Sequence, residues 1–375
     1  MVTVPGTHRR SLEGYETFVP QPLPPELSLP ASVYEQIEDA RDMLGQVKMC
    51  RTLLPNADLL IYSSLQREAL ASSTIEGTIA TPDELVLFQV SRSSEREAVR
   101  EVANYGYALE WGVQEIETQQ PLATRLILGL HERLLASVRG AHGAGSFKEF
   151  QNHIGTDSRQ SIEHAVFIPP APQDVPGLVA DLELYIHADN RESKLVQCAL
   201  VHYQFETIHP FGDGNGRVGR LMIVLQMIHL GLLSAPLIYP SVYFERTREE
   251  YYGRLQDVRE KGAWNEWIEY FVRGIKEQCE ETINFTQTIL ALRQRLSREI
   301  PNVRRRASMV AVLEAFFEYP VLAPKQISDS ANISIGAVRT ALSELENLEI
   351  VREITGKRKG RVYACEPVLD TIFGR

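Results

Sequence analysis

Cysteine is scarce in this chain of 375 residues. Cys50, Cys198, Cys279 and Cys365 lie far apart with no Cys-x-x-Cys pair, which excludes a zinc ribbon or a disulfide framework and predicts buried, reduced thiols. A long apolar run is also missing. The best stretch, residues 221–238, is broken by Gln226, His229, Gly231, Ser234 and Pro236, so it reads as a buried helix and not a membrane span. The first residues carry charge without a following apolar stretch or cleavage site, so the expectation is a cytoplasmic protein with no membrane partner. There is no Walker A loop and no repeat of solenoid period. What remains, 44% hydrophobic and 23% charged residues, describes a globular protein of two or three domains.

Positive charge is in deficit, at a formal −10, but unevenly. Residues 302–375 hold 11 Lys and Arg against 9 Asp and Glu, so the acidic excess lies entirely in residues 1–301. The basic cluster at 356–361, Gly-Lys-Arg-Lys-Gly-Arg, sits between two β-prone stretches as a turn.

Residues 1–31 contain prolines 5, 20, 22, 24, 25 and 30 and show no period, which predicts an extended arm. Ser32 and Glu35 then make a capping box ahead of Val33, Ile37, Ala40, Leu44 and Val47 at helical spacing. A second helix opens at Asn56 and ends at Glu76-Gly77, and a third starts with Thr81 as N-cap, Pro82 and Glu84. Helical patterning continues to Leu135. Residues 140–172, rich in Gly, Ser and Asn, predict a short β-hairpin, and helices resume over 174–188, 193–207, 217–233 and 247–292. After Pro301, helices at 309–317, 324–331 and 334–348, the last capped by Ser334, precede a two-stranded wing, the winged-helix order. The fold class is mainly α, with a β-hairpin and a C-terminal winged-helix domain.

The chemistry concentrates in residues 209–220. Gly212, Gly214 and Gly216 allow the backbone to turn its N–H groups inward just ahead of an apolar helix, an anion-binding nest. Arg217 and Arg220, three apart on the first turn, add two guanidinium forks suited to a polyphosphate. Asp213 beside phosphates calls for a bridging cation such as Mg²⁺. His209 is the proton acceptor of the loop. Together these groups describe nucleotide-dependent group transfer. Gly214-x-Gly216-x-x-Gly219 also matches the dinucleotide fingerprint, but a preceding strand and βαβ unit are lacking, so that match is a false positive.

His209-Pro210-Phe211-Gly212-Asp213-Gly214-Asn215-Gly216-Arg217-Val218-Gly219-Arg220 resembles the Fic motif, His-Pro-Phe-x-Asp-Gly-Asn-Gly-Arg-x-x-Arg, at all nine specified positions. Residues 56–90, with Arg67-Glu68-Ala69 and Ser73-Thr74-Ile75-Glu76-Gly77-Thr78, resemble the N-terminal Fic-associated region. Gly145–Pro170 resembles the flap hairpin and Trp264–Ile275 the closing helix. The implied layout is an arm at 1–31, a Fic-associated helical region with an inhibitory helix at 32–118, a catalytic core at 119–292 and the winged helix at 302–375. The resemblance implies a protein adenylyltransferase that moves AMP from ATP to a Ser, Thr or Tyr hydroxyl of a target protein, or of itself, and releases pyrophosphate. By position, His209 is the base and Asp213 holds Mg²⁺. Asn215 and the glycines 212, 214 and 216 cradle phosphates, Arg217 stabilises developing charge and Arg220 grips the γ-phosphate. Tyr251 and Tyr252 flank the adenine. Lys148, Val166 and Phe167 belong to the target-binding flap, with Lys148 standing where the family has arginine.

Glu76 is an acid at a helix C-terminus, where the dipole disfavours it, so a cationic partner is expected. Ser72-x-x-x-Glu76-Gly77 resembles the family's inhibitory pattern, and the implied partner is Arg220. Two alternatives stand beside the transferase: an enzyme that also removes AMP, and a nucleotide-sensing DNA-binding regulator. DNA binding is disfavoured because Arg339 is the lone basic residue of the recognition helix and Glu344, Glu346 and Glu349 follow it. A protein-docking role or the organisation of a homodimer is the favoured reading of residues 302–375.

Overall fold

The protein is seen in a computed structural model that describes residues 5–53, 57–91, 96–155, 161–302 and 304–374, and it is mainly helical, as expected. It opens, however, on a β-hairpin. Strands β1 (Gly6–Arg10) and β2 (Glu16–Pro20) pair antiparallel, with Gly6 opposite Pro20 and Arg10 opposite Glu16. The wholly extended arm is thereby corrected: residues 6–19 lie between Pro5 and Pro20 and contain no proline, so every amide there can join a ladder. Residues 21–30, dense in proline, do run without regular structure.

Helices α1 (Ala31–Leu53), α2 (Asp58–Ile75), α3 (Pro82–Ser91), α4 (Glu97–Glu117) and α5 (Thr124–Leu134) follow. Helix α1 starts directly after Pro30, so Ser32 lies inside its first turn and not at the cap. The expected start of α2 at Asn56 falls outside the described residues. The predicted cap of α3 forms: Thr81 N–H donates to Glu84 Oε2 at 2.8 Å, and Glu84 N–H donates back to Thr81 Oγ1 at 3.3 Å.

Next come α6 (Val175–His187), α7 (Lys194–Ile208), α8 (Asn215–His229), α9 (Pro240–Arg246), α10 (Arg248–Lys261) and α11 (Trp264–Glu299). The single helix expected over 247–292 is two, divided at Gly262, which takes a left-handed φ of 66°. Helices α7 and α8 are buried on every side, from Leu195 to Ile208 and from Asn215 to Met227, so they are the centre of the molecule. Helix α11 is tied to them by the Trp267 indole, which donates to Ala199 O at 2.9 Å, and α1 lies along α11. The loop joining the two central helices is residues 209–214, the segment that concentrates the chemistry.

The C-terminal unit runs α12 (Arg306–Phe316), β3 (Val321–Leu322), α13 (Pro324–Ala331), α14 (Ile335–Asn347), β4 (Arg352–Glu353), β5 (Tyr363–Ala364) and α15 (Glu366–Phe373). Strand β5 lies between β3 and β4, and the basic turn 356–361 is exposed between β4 and β5. Ser334 caps α14 by accepting from Ala337 N–H at 3.2 Å. Helix α15 was not foreseen; it packs against α11 and α2. Tyr319 meets α2 edge-on at Tyr62, with ring centroids 6.4 Å apart. Among the described residues, no helix is long and apolar enough to cross a membrane. All four cysteines are buried free thiols.

Candidate active site

Helix α7 ends at Ile208, and His209 reverses the chain with φ 49° and ψ 60°, a left-handed conformation that a non-glycine residue holds only under constraint. Gly214, at φ 78°, makes the second reversal and α8 begins. Between them the loop is braced from within. Phe211 N–H donates to Asn215 Oδ1 and Asn215 Nδ2 donates to Phe211 O, each at 2.8 Å. Asn215 therefore has its side-chain amide engaged in the loop itself, which departs from the phosphate contact expected of it. Phe211 is fully buried and stacks on His131 at 3.7 Å between centroids.

His131 was missed by the sequence reading. Its Nδ1 accepts from Gly145 N–H at 3.1 Å, so Nε2 carries the proton and donates to Asp213 O at 3.1 Å. One imidazole thus links the start of the flap, the Phe211 ring and the nest. No local motif signals this, because α5 meets the loop only through tertiary packing.

His209 Nδ1 lies 3.4 Å from Glu206 O. A carbonyl only accepts, so Nδ1 carries the proton and the lone pair sits on Nε2. Burial, reinforced by the charges of Lys148 and Arg259, pushes the His209 imidazole down to about 3, so it is neutral near pH 7. Burial likewise pushes Lys148 down to about 7 and raises Glu206 to about 7. Glu206 Oε1 is buried without a hydrogen bond among the described residues.

Arg217 is buried and donates from Nη1 to Glu101 Oε2 at 3.0 Å and from Nη2 to Asp213 Oδ1 at 3.4 Å. Thr78 Oγ1 donates to the same Glu101 oxygen at 2.9 Å. Glu101, also unforeseen, makes the shorter of the two contacts that hold the buried Arg217 guanidinium. Glu101→Ala should cost about 3 kcal/mol, because it leaves a buried guanidinium without its main partner. Urea unfolding of the variant measures this, and an unchanged midpoint would count against a structural role for the pair.

Arg220, 1% exposed, donates from Nε to Ser72 Oγ at 2.9 Å, and from Nη2 to Ser72 O at 2.9 Å and to Glu76 Oε1 at 2.7 Å. The partner expected for Glu76 is therefore the one it has. Gly77, at φ 82°, closes α2 as expected. Glu76 also overlies the second residue of α8: a Cβ added to Gly216 would collide with Glu76 Oε1. The carboxylate of α2 thus rests at the N-terminus of α8, where the dipole favours an anion.

The flap is less regular than expected. Its described residues pair at one antiparallel bridge, Ile154 with Phe167, and the strand is cut short by Pro169-Pro170, which cannot donate. Of the three flap residues singled out, Val166 alone is exposed. Phe167 turns inward under the Arg259 guanidinium, 4.0 Å from the ring centroid, as side-chain alternation requires. Lys148 is buried against the loop. Phe150, 77% exposed, is a second exposed apolar residue of this segment and was missed. Strand β2 borders this segment: Phe18 N–H donates to Ile168 O at 2.9 Å, and its ring lies 5.7 Å from that of Phe167.

The tyrosine pair divides in the same way. Tyr251 is fully buried, with its hydroxyl 2.8 Å from His202 Nε2 and its ring on Phe244, so it presents no face to a ligand. Tyr252 is half-exposed and can. Gly212 borders open space.

Burial pushes His131 down to about 4 and His202 and His209 to about 3. The unfolded chain binds these protons below about pH 6.5 while the folded chain does not, so each histidine should lower stability by about 1.4 kcal/mol per pH unit from there. Glu206, raised to about 7, binds its proton first in the folded chain and offsets about one of the three, leaving a net fall. Urea midpoints at about pH 7 and about pH 5.5 test the sign. A higher midpoint in acid would contradict it.

For a metal, no group of three or more His, Cys, Asp or Glu is assembled among the described residues. Asp213 Oδ1 takes the Gly214 amide at 2.6 Å as well as Arg217, and the carboxylate stays 40% exposed. One hard oxygen donor with room beside it suits Mg²⁺ completed by phosphate and water oxygens.

A glycine-bent loop thus leads into the N-terminus of α8, where Arg217 and Arg220 are buried in the first turns and the Glu76 carboxylate lies against Gly216. The family models described as "Fic/DOC family N-terminal" and "Fic/DOC family" match residues 34–114 and 121–227, together just over half of the chain. The chain belongs to the Fic/DOC family.

Among curated relatives, "Protein adenylyltransferase Fic" of Culex quinquefasciatus is 31% identical over 163 residues, covering 42% of this chain and 28% of that protein. The Drosophila melanogaster protein of the same name is 29% identical over 207 residues, covering 50% and 38%. The chain thus matches only about a third of the length of these relatives. A Fic family protein from Desulfovibrio desulfuricans G20 superposes with a TM-score of 0.60 at 18% identity, covering 92% of this chain and 98% of that one. Fic-1 from C. elegans gives a TM-score of 0.55 at 18% identity, over 69% and 74%. These likenesses establish the fold.

Proposed function

We propose that this chain is a protein adenylyltransferase held in check by Glu76. The observation that carries the reading is the neutral His209, with its lone pair on Nε2, at the mouth of a helix N-terminus that Arg220 and Glu76 already share. The names of the curated relatives point the same way.

In the proposed reaction His209 Nε2 takes the proton of a target Ser, Thr or Tyr hydroxyl as its oxygen attacks the α-phosphorus of ATP. The bond from that phosphorus to the bridging oxygen breaks, and pyrophosphate leaves with the electron pair. The amides at the start of α8 and the Arg217 guanidinium stabilise the charge on the phosphoryl oxygens. Arg220, once free, binds the γ-phosphate. Asp213 would hold Mg²⁺, which neutralises phosphate charge when bound. Asn215 positions the loop from within, and Tyr252 is the tyrosine available to the adenine. Val166 and Phe150 face the target segment, which docks along the flap through its backbone.

Glu76 restrains this in two ways: it holds the Arg220 fork, and its carboxylate stands at the helix N-terminus where phosphate would lie. The C-terminal unit packs through Tyr319 on the helix that carries Glu76, which supports an organising role over a DNA-reading one. The deciding experiment incubates wild type, Glu76→Gly and Glu76→Gly with His209→Ala in Mg²⁺ and ATP and reads intact masses of the protein and of added proteins. AMP increments that appear with the first substitution and vanish with the second support the reading; their absence from every variant sinks it.

A further inference from the structure

Three consecutive carbonyls of the catalytic loop are held by two residues of the flap. Asn152 Nδ2 donates to His209 O at 3.3 Å and to Phe211 O at 2.8 Å, and Lys148 N–H donates to Pro210 O at 2.9 Å. Lys148 Nζ in turn donates to Asn152 Oδ1 at 2.6 Å. The loop carbonyls only accept, so Asn152 Nδ2 must face them and Oδ1 is left to accept from the lysine amine. The lysine side chain is almost fully buried for the purpose, at 7% exposure. An amine buried far enough to be pushed down to about 7, with one amide as its side-chain partner among the described residues, is a costly arrangement for stability alone. Gln151 braces the same turn by donating to Pro169 O at 3.0 Å, across the two arms of the flap.

The consequence for the loop is electrostatic as well as geometric. Carbonyls engaged by donors have part of their negative charge compensated, which lessens their repulsion of an anion at the adjacent helix N-terminus. The same contacts hold His209 in its left-handed conformation and so fix where Nε2 points. We infer that Lys148 and Asn152 form a positioning pair that sets the orientation of the catalytic loop. The inference rests on the adenylyltransferase reading.

The test uses the full chain carrying Glu76→Gly, with Asn152→Ala or Asn152→Asp added. Aspartate keeps the contact with Lys148 but cannot donate to carbonyls, so it separates loop positioning from simple packing. Both variants should lose about tenfold to a hundredfold in kcat for AMP transfer, as a misplaced reacting group does. Their Kd for ATP, measured by calorimetry, should stay within about threefold, because this pair holds a reacting group and touches no phosphate-binding side chain.

Hydrogen exchange at residues 209–213 should quicken about tenfold in both variants, a readout independent of turnover. If Glu76→Gly transfers AMP and the Asp variant matches it, the positioning role is wrong while the enzyme reading stands. If Glu76→Gly itself transfers nothing, the enzyme reading fails and takes the catalytic role of the pair with it. Unchanged exchange in both variants overturns the pair on its own, whatever the activity.

Discussion

His209→Ala, placed in a Glu76→Gly background, should lower AMP transfer by about two to four orders of magnitude, the range expected when a positioned general base is removed. The effect should fall on kcat. His209 contributes no charge to ground-state binding, since burial and the neighbouring Lys148 and Arg259 keep its imidazole neutral near pH 7. ATP should therefore bind the variant about as well as it binds the parent. Rapid-quench turnover and calorimetric ATP binding separate the two terms. A variant that loses ATP affinity while retaining kcat would place His209 among the binding groups, not at the proton.

Glu76→Gly should raise transfer about tenfold to a hundredfold over wild type. Arg220 is fully buried and Glu76 accepts its hydrogen bond at 2.7 Å, so the contact belongs with charge-assisted bonds of about 1.5–3 kcal/mol. The carboxylate is 34% exposed, which favours the lower part of that range. Removing it frees the fork for a phosphate and clears the space over Gly216. Glu76→Gln separates these contributions: it drops the charge but leaves bulk over the helix N-terminus, so its activity should lie between wild type and Glu76→Gly. Equal rates for all three would mean that Arg220 is not contested.

The loop and the acid that meets it were legible because both are written in short stretches. The glycines, arginines, His209 and Asp213 fall within twelve residues, and Glu76 stands out as an acid at the wrong end of a helix. Charge called only for some cationic partner; that it is Arg220, 144 positions away, was implied by the resemblance to the family's inhibitory pattern. His131, Glu101 and Asn152 were illegible for the opposite reason. Each is an ordinary residue whose importance comes from which distant backbone or guanidinium it meets.

Burial was the other blind spot. Two adjacent tyrosines look equivalent in sequence, yet helix α10 turns Tyr251 into the core against Phe244 and His202 and leaves Tyr252 at the surface. The hairpin at the N-terminus went unread because its prolines were counted over the whole arm, although they leave residues 6–19 clear.

That hairpin has a bearing on how a partner could approach. The amide of Phe18 occupies the outer carbonyl of Ile168, while Phe167 turns its own amide and carbonyl the other way, to Ile154. A visiting strand running along the flap would find its path stopped two residues past Val166 by the chain's own second strand. In the proposed reaction β2 would therefore be an end-stop, limiting how far a docking segment slides and so which of its hydroxyls arrives opposite His209.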